Sequence, residues 1–213
     1  MKITLITLGS IFALSSLANA QDWASLTTTG GSLPGGTTFS ISTSADFRNG
    51  GTGSQTWTSP QGISSGGSVD TLLMTFEDNE FLTLNFSQAV IDPILNIGNV
   101  QSDIMINGGT FSAIWSQDNT GALATGSGSI VQAGNLLNYS SPNAGEVGSA
   151  QDVGIQFSGS YSSLSFSMTD ILPNSSLDFD NISVSVAGTT VPEPSGALLA
   201  ALAGGLAILR RRR

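Results

Sequence analysis

Apolar and polar residues alternate with a period of two along much of the middle of this 213-residue chain. Successive side chains of a strand point to opposite faces, so this alternation predicts β-strands with one buried face. No amphipathic helical period of useful length accompanies it. The apolar sets are Phe39/Ile41, Leu72/Met74/Phe76, Leu82/Leu84/Phe86, Leu95/Ile97, Ile104/Ile106, Phe111/Ala113/Trp115, Val153/Ile155/Phe157, Leu164/Phe166/Met168 and Ile182/Val184/Val186.

Turn signals separate these sets, as at Asn49-Gly50-Gly51 and Asn107-Gly108-Gly109. Many short strands joined by such turns predict an all-β fold, an antiparallel β-sandwich of the jelly-roll kind. The sequence has no repeat of fixed period, which argues against a propeller or a solenoid. A composition with 26 glycines and only 10% charged residues agrees with strands and turns better than with long helices.

The residue types in the chain exclude most catalytic chemistry. Histidine and cysteine are absent, and the one lysine is Lys2. A Ser-His-Asp triad, a thiol nucleophile, a Schiff-base lysine and an imidazole zinc site are therefore ruled out. Glycoside hydrolysis by a pair of carboxyl groups stays open, although no such pair stands out in the sequence.

Charge is distributed unevenly along the chain. Residues 21–190 hold fourteen of the fifteen acidic residues but one basic residue, Arg48, and so carry a formal charge of −13. Nucleic acids and anionic lipids bind through lysine and arginine, so neither is expected as a partner of this segment.

The first twenty residues have the pattern of a secretory signal peptide. Lys2 precedes an apolar run from Ile3 to Leu17, and the small residues Ala18 and Ala20 occupy the cleavage positions. We expect a signal helix over residues 1–20, export through the Sec translocon and removal by signal peptidase. A permanent N-terminal anchor is the alternative, but the apolar run is short for a membrane span.

The last 23 residues, 191–213, combine three features in a fixed order. Two prolines hold the chain extended around an acidic residue, an apolar segment follows from Gly196 to Leu209, and a basic cluster ends the sequence. The apolar segment predicts one hydrophobic membrane helix with its basic end on the cytoplasmic side. The motif is Val191, Pro192, Glu193 and Pro194, and the cluster is Arg210, Arg211, Arg212 and Arg213.

This tail resembles the PEP-CTERM sorting signal of Gram-negative bacteria. The resemblance implies recognition and processing by an exosortase-type enzyme at the inner membrane, followed by display at the cell surface or in the extracellular matrix. It is associated with bacteria that make extracellular polysaccharide, and it implies no enzymatic activity for the exported part. A permanent tail anchor is one alternative. A GPI-type signal is another, although such tails end in apolar residues.

Two acidic clusters are candidate ligands of a structural calcium ion. They comprise Glu77, Asp78 and Glu80 in one segment and Asp178 and Asp180 in another. Alternation places Glu80 and Asp180 in line with buried apolar residues, where a carboxylate needs a positive partner. Calcium supplies one and takes oxygen ligands. The alternative is that these residues cap strand ends in solvent.

Trp57 lies between Gly-, Ser- and Thr-rich stretches and is a candidate glycan contact, with packing as the alternative. Residues 79–86 and 177–184 resemble the early and final strands of carbohydrate-binding-like jelly rolls. The sequence thus predicts a β-sandwich over residues 21–190 in a non-enzymatic surface or matrix protein, with extracellular polysaccharide as a candidate partner. A secreted carboxylate-dependent glycoside hydrolase and a purely structural coat subunit are the alternatives.

Overall fold

The computed structural model describes residues 23–56, 68–118, 129–140, 150–169 and 180–190. Strands make up 79% of this part, which contains no helix. All strand pairings in it are antiparallel. The predicted all-β antiparallel class is confirmed, and the two predicted flanking helices lie outside the described residues.

Thirteen strands occupy the described residues. They are β1 (Ser25–Thr27), β2 (Gly30–Ser32), β3 (Thr38–Thr43), β4 (Asp46–Thr56), β5 (Ser68–Phe76), β6 (Phe81–Val100), β7 (Asp103–Ile106), β8 (Phe111–Asp118), β9 (Ser129–Ala133), β10 (Leu136–Ser140), β11 (Gln151–Phe157), β12 (Ser160–Thr169) and β13 (Asp180–Thr190).

All thirteen strands belong to one hydrogen-bonded network, which branches at β6 into two sheets that share this strand. The first sheet has the order β1-β2-β3-β6-β12-β7-β10-β9, and the second has the order β4-β5-β13-β6-β11-β8. The first half of β6 pairs with β3 and β12, whereas its second half pairs with β13 and β11. One long strand therefore passes from one sheet into the other.

The passage occurs at Asp92 and Pro93, where the backbone of β6 turns sharply. Asp92 has a φ of 45°, and its amide donates to the Gly159 carbonyl at 2.8 Å. The Gly159 amide donates in return to Asp92 Oδ1 at 2.7 Å. On β13, a Cβ at Gly188 would lie 2.5 Å from a methyl group of Val90, so only glycine fits beside this corner.

The core lies between the two sheets. Phe76 of β5 stacks on Phe166 of β12 with ring centroids 5.8 Å apart, which joins the second sheet to the first. Nearly all the predicted apolar positions are buried in this core, including the β13 set of Ile182, Val184 and Val186. Their burial supplies the main driving force for folding, since buried apolar area is worth about 25 cal/mol per Å².

The sides of the sandwich are closed by side chains and by the N-terminal segment. Gln132 of β9 accepts a hydrogen bond from the Ala113 amide at 2.9 Å and donates to the Phe111 carbonyl at 3.1 Å, so its amide continues the ladder between β9 and β8. On the opposite side, Trp23 pairs with Ala187 of β13, and β1 then continues into the first sheet. Both contacts therefore tie the first sheet or its leading segment to the second sheet outside the shared strand β6.

Candidate functional site

The two ends of the sandwich differ in charge. We call the end where β13 begins at Asp180 the acidic end, and the end where β13 finishes at Thr190 the exit end. Ten acidic residues lie in the described part of the chain. Eight of them lie at the acidic end by strand register and hydrogen bonding, namely Asp46, Glu77, Asp78, Glu80, Asp103, Asp118, Asp152 and Asp180.

At the acidic end, a tight turn over residues 77–80 joins β5 to β6. The Glu80 amide donates to the Glu77 carbonyl, and Asn79 adopts a φ of 64°. Glu77 and Asp78 are exposed, while Glu80 is half-buried and its Oε2 accepts the Glu77 amide at 2.8 Å. Backbone hydrogen bonds to Met168 fix the turn against β12. The Glu80 carboxylate is therefore used to close its own turn.

The second predicted acidic cluster starts beside this turn. The Cα of Asp180 pairs with Phe76, the residue before Glu77, so the backbone brings the two segments to one end of the second sheet. The Asp180 side chain and all of Asp178 lie outside the described residues. Among the side chains that the structure describes, no three acidic groups lie close enough to hold a metal ion.

A polar network crosses four strands at the same end. Thr75 of β5 donates to Asn181 Oδ1 at 2.8 Å, and Asn99 of β6 donates through its side-chain amide to the Asn181 carbonyl. Asn99, with a φ of 63°, also donates its backbone amide to Asp152 Oδ1 at 3.0 Å. The β11–β6 register shifts between Gln151 and Val153, so Asp152 sits in a bulge.

Asp152 is the acidic residue in this network, and its side chain is only 7% exposed. Burial raises the pKa of the Asp152 carboxyl above 3.8, because it removes water from the charged form. The hydrogen bond from the Asn99 amide opposes this effect and lowers the pKa. The alternation around Val153 and Ile155 predicts that Asp152 lies on a strand. Its burial, however, depends on the bulge, which the sequence does not predict.

The exit end holds both ends of the described chain. The Ala24 amide donates to the Val186 carbonyl at 2.8 Å, and Thr190 pairs with Val90 of β6. Residue 23 is therefore held beside the last part of β13, the strand that ends at residue 190. The two described acidic residues that remain lie toward this end: Asp92 is exposed, and the half-buried Asp70 of β5 accepts the Leu26 amide at 3.1 Å.

Tyr161 locks two turns together near the exit end. Its hydroxyl accepts the Thr110 amide at 3.0 Å and lies 2.9 Å from the Ser158 carbonyl, to which it can donate. Gly109 has a φ of 87°, and a Cβ there would lie 2.6 Å from the Tyr161 ring. The Tyr161 hydroxyl therefore links the β7–β8 turn to the β11–β12 turn.

Several predicted site residues lie outside the described residues. They are Trp57, the signal-cleavage positions Ala18 and Ala20, the motif Val191, Pro192, Glu193 and Pro194, and the basic residues Arg210, Arg211, Arg212 and Arg213. In the part of the chain that the structure covers, no helix is long and apolar enough to span a membrane.

Comparison with known proteins gives no relative for this chain. No protein-family model, no curated protein and no solved structure matches it.

Proposed function

We propose that this chain is an exported, non-enzymatic cell-surface or extracellular-matrix protein, delivered by the Sec translocon and processed at residues 191–194 by an exosortase-type enzyme. The observation that carries the proposal is the junction at Thr190. A central strand of the sandwich ends there, directly before the Val191-Pro192-Glu193-Pro194 motif. The described strands, from Ser25 to Thr190, therefore lie between the two proposed tags.

The arrangement of strands supports a jelly-roll-like sandwich as the displayed module. The last strand, β13, lies between β5 and β6, and the first described residue pairs with it. Neighbours so distant in sequence are typical of Greek-key connections, from which jelly rolls are built. Binding of an extracellular polysaccharide by this module belongs to the proposal and rests on the resemblance of its strands to carbohydrate-binding domains.

A glycoside hydrolase is less well supported by the described carboxyl groups. Such an enzyme needs two carboxyl groups about 5–9.5 Å apart in an open cleft. Asp152 is buried under its own network, and Glu77 and Asp78 lie exposed on a tight turn. A purely structural coat subunit stays open, and a glycan array with no bound sugar would favour it over the polysaccharide binder.

Processing is tested with the full-length chain carrying a C-terminal epitope tag after Arg213. We expect the tag to be lost in cells that contain the processing enzyme and kept in cells that lack it. Glu193→Ala should block the loss by removing the charge between the two prolines, whereas Glu146→Ala, outside the motif, should not. Equal loss of the tag without the enzyme would contradict the proposal.

A calcium ion at the acidic end also stays a proposal. The pairing of Asp180 with Phe76 supports it, because it brings the two acidic segments together. Calcium at a hundred times its dissociation constant should then stabilise the mature chain by about 2.7 kcal/mol. An unfolding midpoint that is the same in calcium and in chelator would contradict the site and leave these carboxylates as solvent-exposed caps.

A further inference from the structure

The end of the sandwich from which the tail departs has a fixed place in the fold. Thr190 pairs with Val90, and Thr189 pairs with Ile91, so β13 is held by β6 up to its last residue. The distance between the sandwich and the apolar segment can therefore be set only by the residues after Thr190.

The connection that remains is short. Residues 191–195 separate Thr190 from the apolar segment that starts at Gly196, and five extended residues span about 17 Å. The headgroup layer of one leaflet takes up roughly 5–8 Å of that length. In addition, a helix over residues 196–209 would span only about 21 Å against a hydrocarbon core of about 30 Å, which would pull residues 191–195 further into the membrane.

The acidic residues lie at the opposite end. Ten residue steps of β13 separate Asp180 from Thr190, a distance of about 33 Å. The Debye length at physiological salt is about 8 Å, so the electrostatic interaction between carboxylates at the acidic end and a charged membrane surface next to Thr190 would be screened out. The exit end instead presents an exposed Ile91, at 37% exposure, and only two described carboxylates lie toward it, the exposed Asp92 and the half-buried Asp70.

From these three observations we infer that, in the tethered precursor, the exit end of the sandwich rests against the bilayer surface and the acidic end points away from it. The occupant of this surface is the headgroup layer of the membrane that holds the tail. The inference rests on the proposed function, because it requires the tail to be inserted in the membrane.

The absence of cysteine allows a direct test with single-cysteine variants of the full chain. Ser158→Cys places a fluorophore at the exit end, and Glu77→Cys places the same fluorophore at the acidic end. Both residues are exposed and lie at turns. Each labelled protein is reconstituted through its tail into liposomes that contain anionic phosphatidylglycerol and headgroup-nitroxide lipid.

We expect the nitroxide lipid to quench the fluorophore at residue 158 at least about twofold more strongly than the fluorophore at residue 77. The reason is that about 33 Å separates the two ends of the sandwich. A spacer of about ten Gly and Ser residues inserted after Thr190 should lower the quenching at residue 158, since it can add about 17 Å of average reach.

Two outcomes separate the inference from the proposed function. Proteins that float with the liposomes but are quenched equally at both positions overturn the inference alone. Proteins that do not float with the liposomes contradict membrane insertion of the tail, and with it both the proposed function and the inference.

Discussion

Asp152 is a residue whose burial makes the stability of the folded chain depend on pH. Its carboxyl group is buried at the acidic end, where the Asn99 amide is one of its hydrogen-bond donors. Because burial raises its folded pKa above the unfolded value of 3.8, the folded chain binds a proton more tightly than the unfolded chain. The contribution of Asp152 to stability therefore falls as pH rises from 3.8 through the raised pKa, and stays low at neutral pH.

The substitution Asp152→Asn should remove this loss of stability at neutral pH. The amide oxygen can still accept the Asn99 amide, while the cost of burying a charge disappears. At pH 7 we expect a melting temperature about 2–4 °C higher, the change that about 1 kcal/mol produces in a domain of this size. Below pH 3.8 the variant and the natural chain should melt at similar temperatures.

Differential scanning calorimetry between pH 3 and pH 8 measures this effect. Asp78→Asn serves as the control, because it removes a carboxylate from the exposed turn at the same end. A lower melting temperature for Asp152→Asn at pH 7 would mean that the ionised carboxylate contributes more to folding through its hydrogen bonds than its burial costs.

At the scale of elements, the corner of β6 decides how the two sheets are joined. Asp92 supports the corner through a left-handed backbone conformation and a side-chain hydrogen bond to the Gly159 amide. Asparagine tolerates the left-handed region and can accept the same hydrogen bond, whereas alanine can do neither well.

We therefore expect Asp92→Ala to destabilise the fold by about 1–3 kcal/mol, from backbone strain and the lost hydrogen bond. Asp92→Asn, the matched control, should change stability by much less. Urea unfolding of both variants measures the difference. Equal midpoints for the two would show that neither the hydrogen bond nor the backbone conformation at residue 92 supports the corner.

The strands of the core could be predicted from the sequence because both of their signals, the alternation of apolar residues and the turn residues between strands, are local. Leu72, Met74 and Phe76 alternate strictly and are all fully buried in β5. The edge strands could not be predicted in this way. Strand β4 is mostly polar, and its Asn49-Gly50-Gly51 segment, which predicts a turn, forms a bulge inside the strand. Strands β1, β2, β9 and β10 are equally short or polar, and their positions follow from partners distant in sequence.

The continuity of β6 and the network around Asp152 also escaped prediction, for the same physical reason. Leu82/Leu84/Phe86 and Leu95/Ile97 predict two strands, and their union depends on how Asp92 and Pro93 turn between sheets. The burial of Asp152 depends on a bulge opposite Asn99 and on Asn181, more than eighty residues from Asn99 in the chain. Such features arise from tertiary packing and leave no periodic trace in the sequence.

On the scale of the whole molecule, the fold places most of the described acidic residues away from the two ends of the described chain. Trp23 and Thr190, the described residues nearest to the proposed signal peptide and tail, lie at the exit end, while most of the described negative charge lies about 33 Å away at the acidic end. A precursor held at the membrane by its tail would therefore keep its charged end in solution. This separation is consistent with a module that is displayed after the tail is processed.

The most direct test of this account is the intact mass of the protein recovered from the surface or matrix of cells that contain the processing enzyme. We predict a product that begins at Gln21 and lacks the apolar segment and the arginine cluster, residues 196–213. A recovered product that still extends to Arg213 would contradict the account, because its apolar helix would then serve as a permanent anchor.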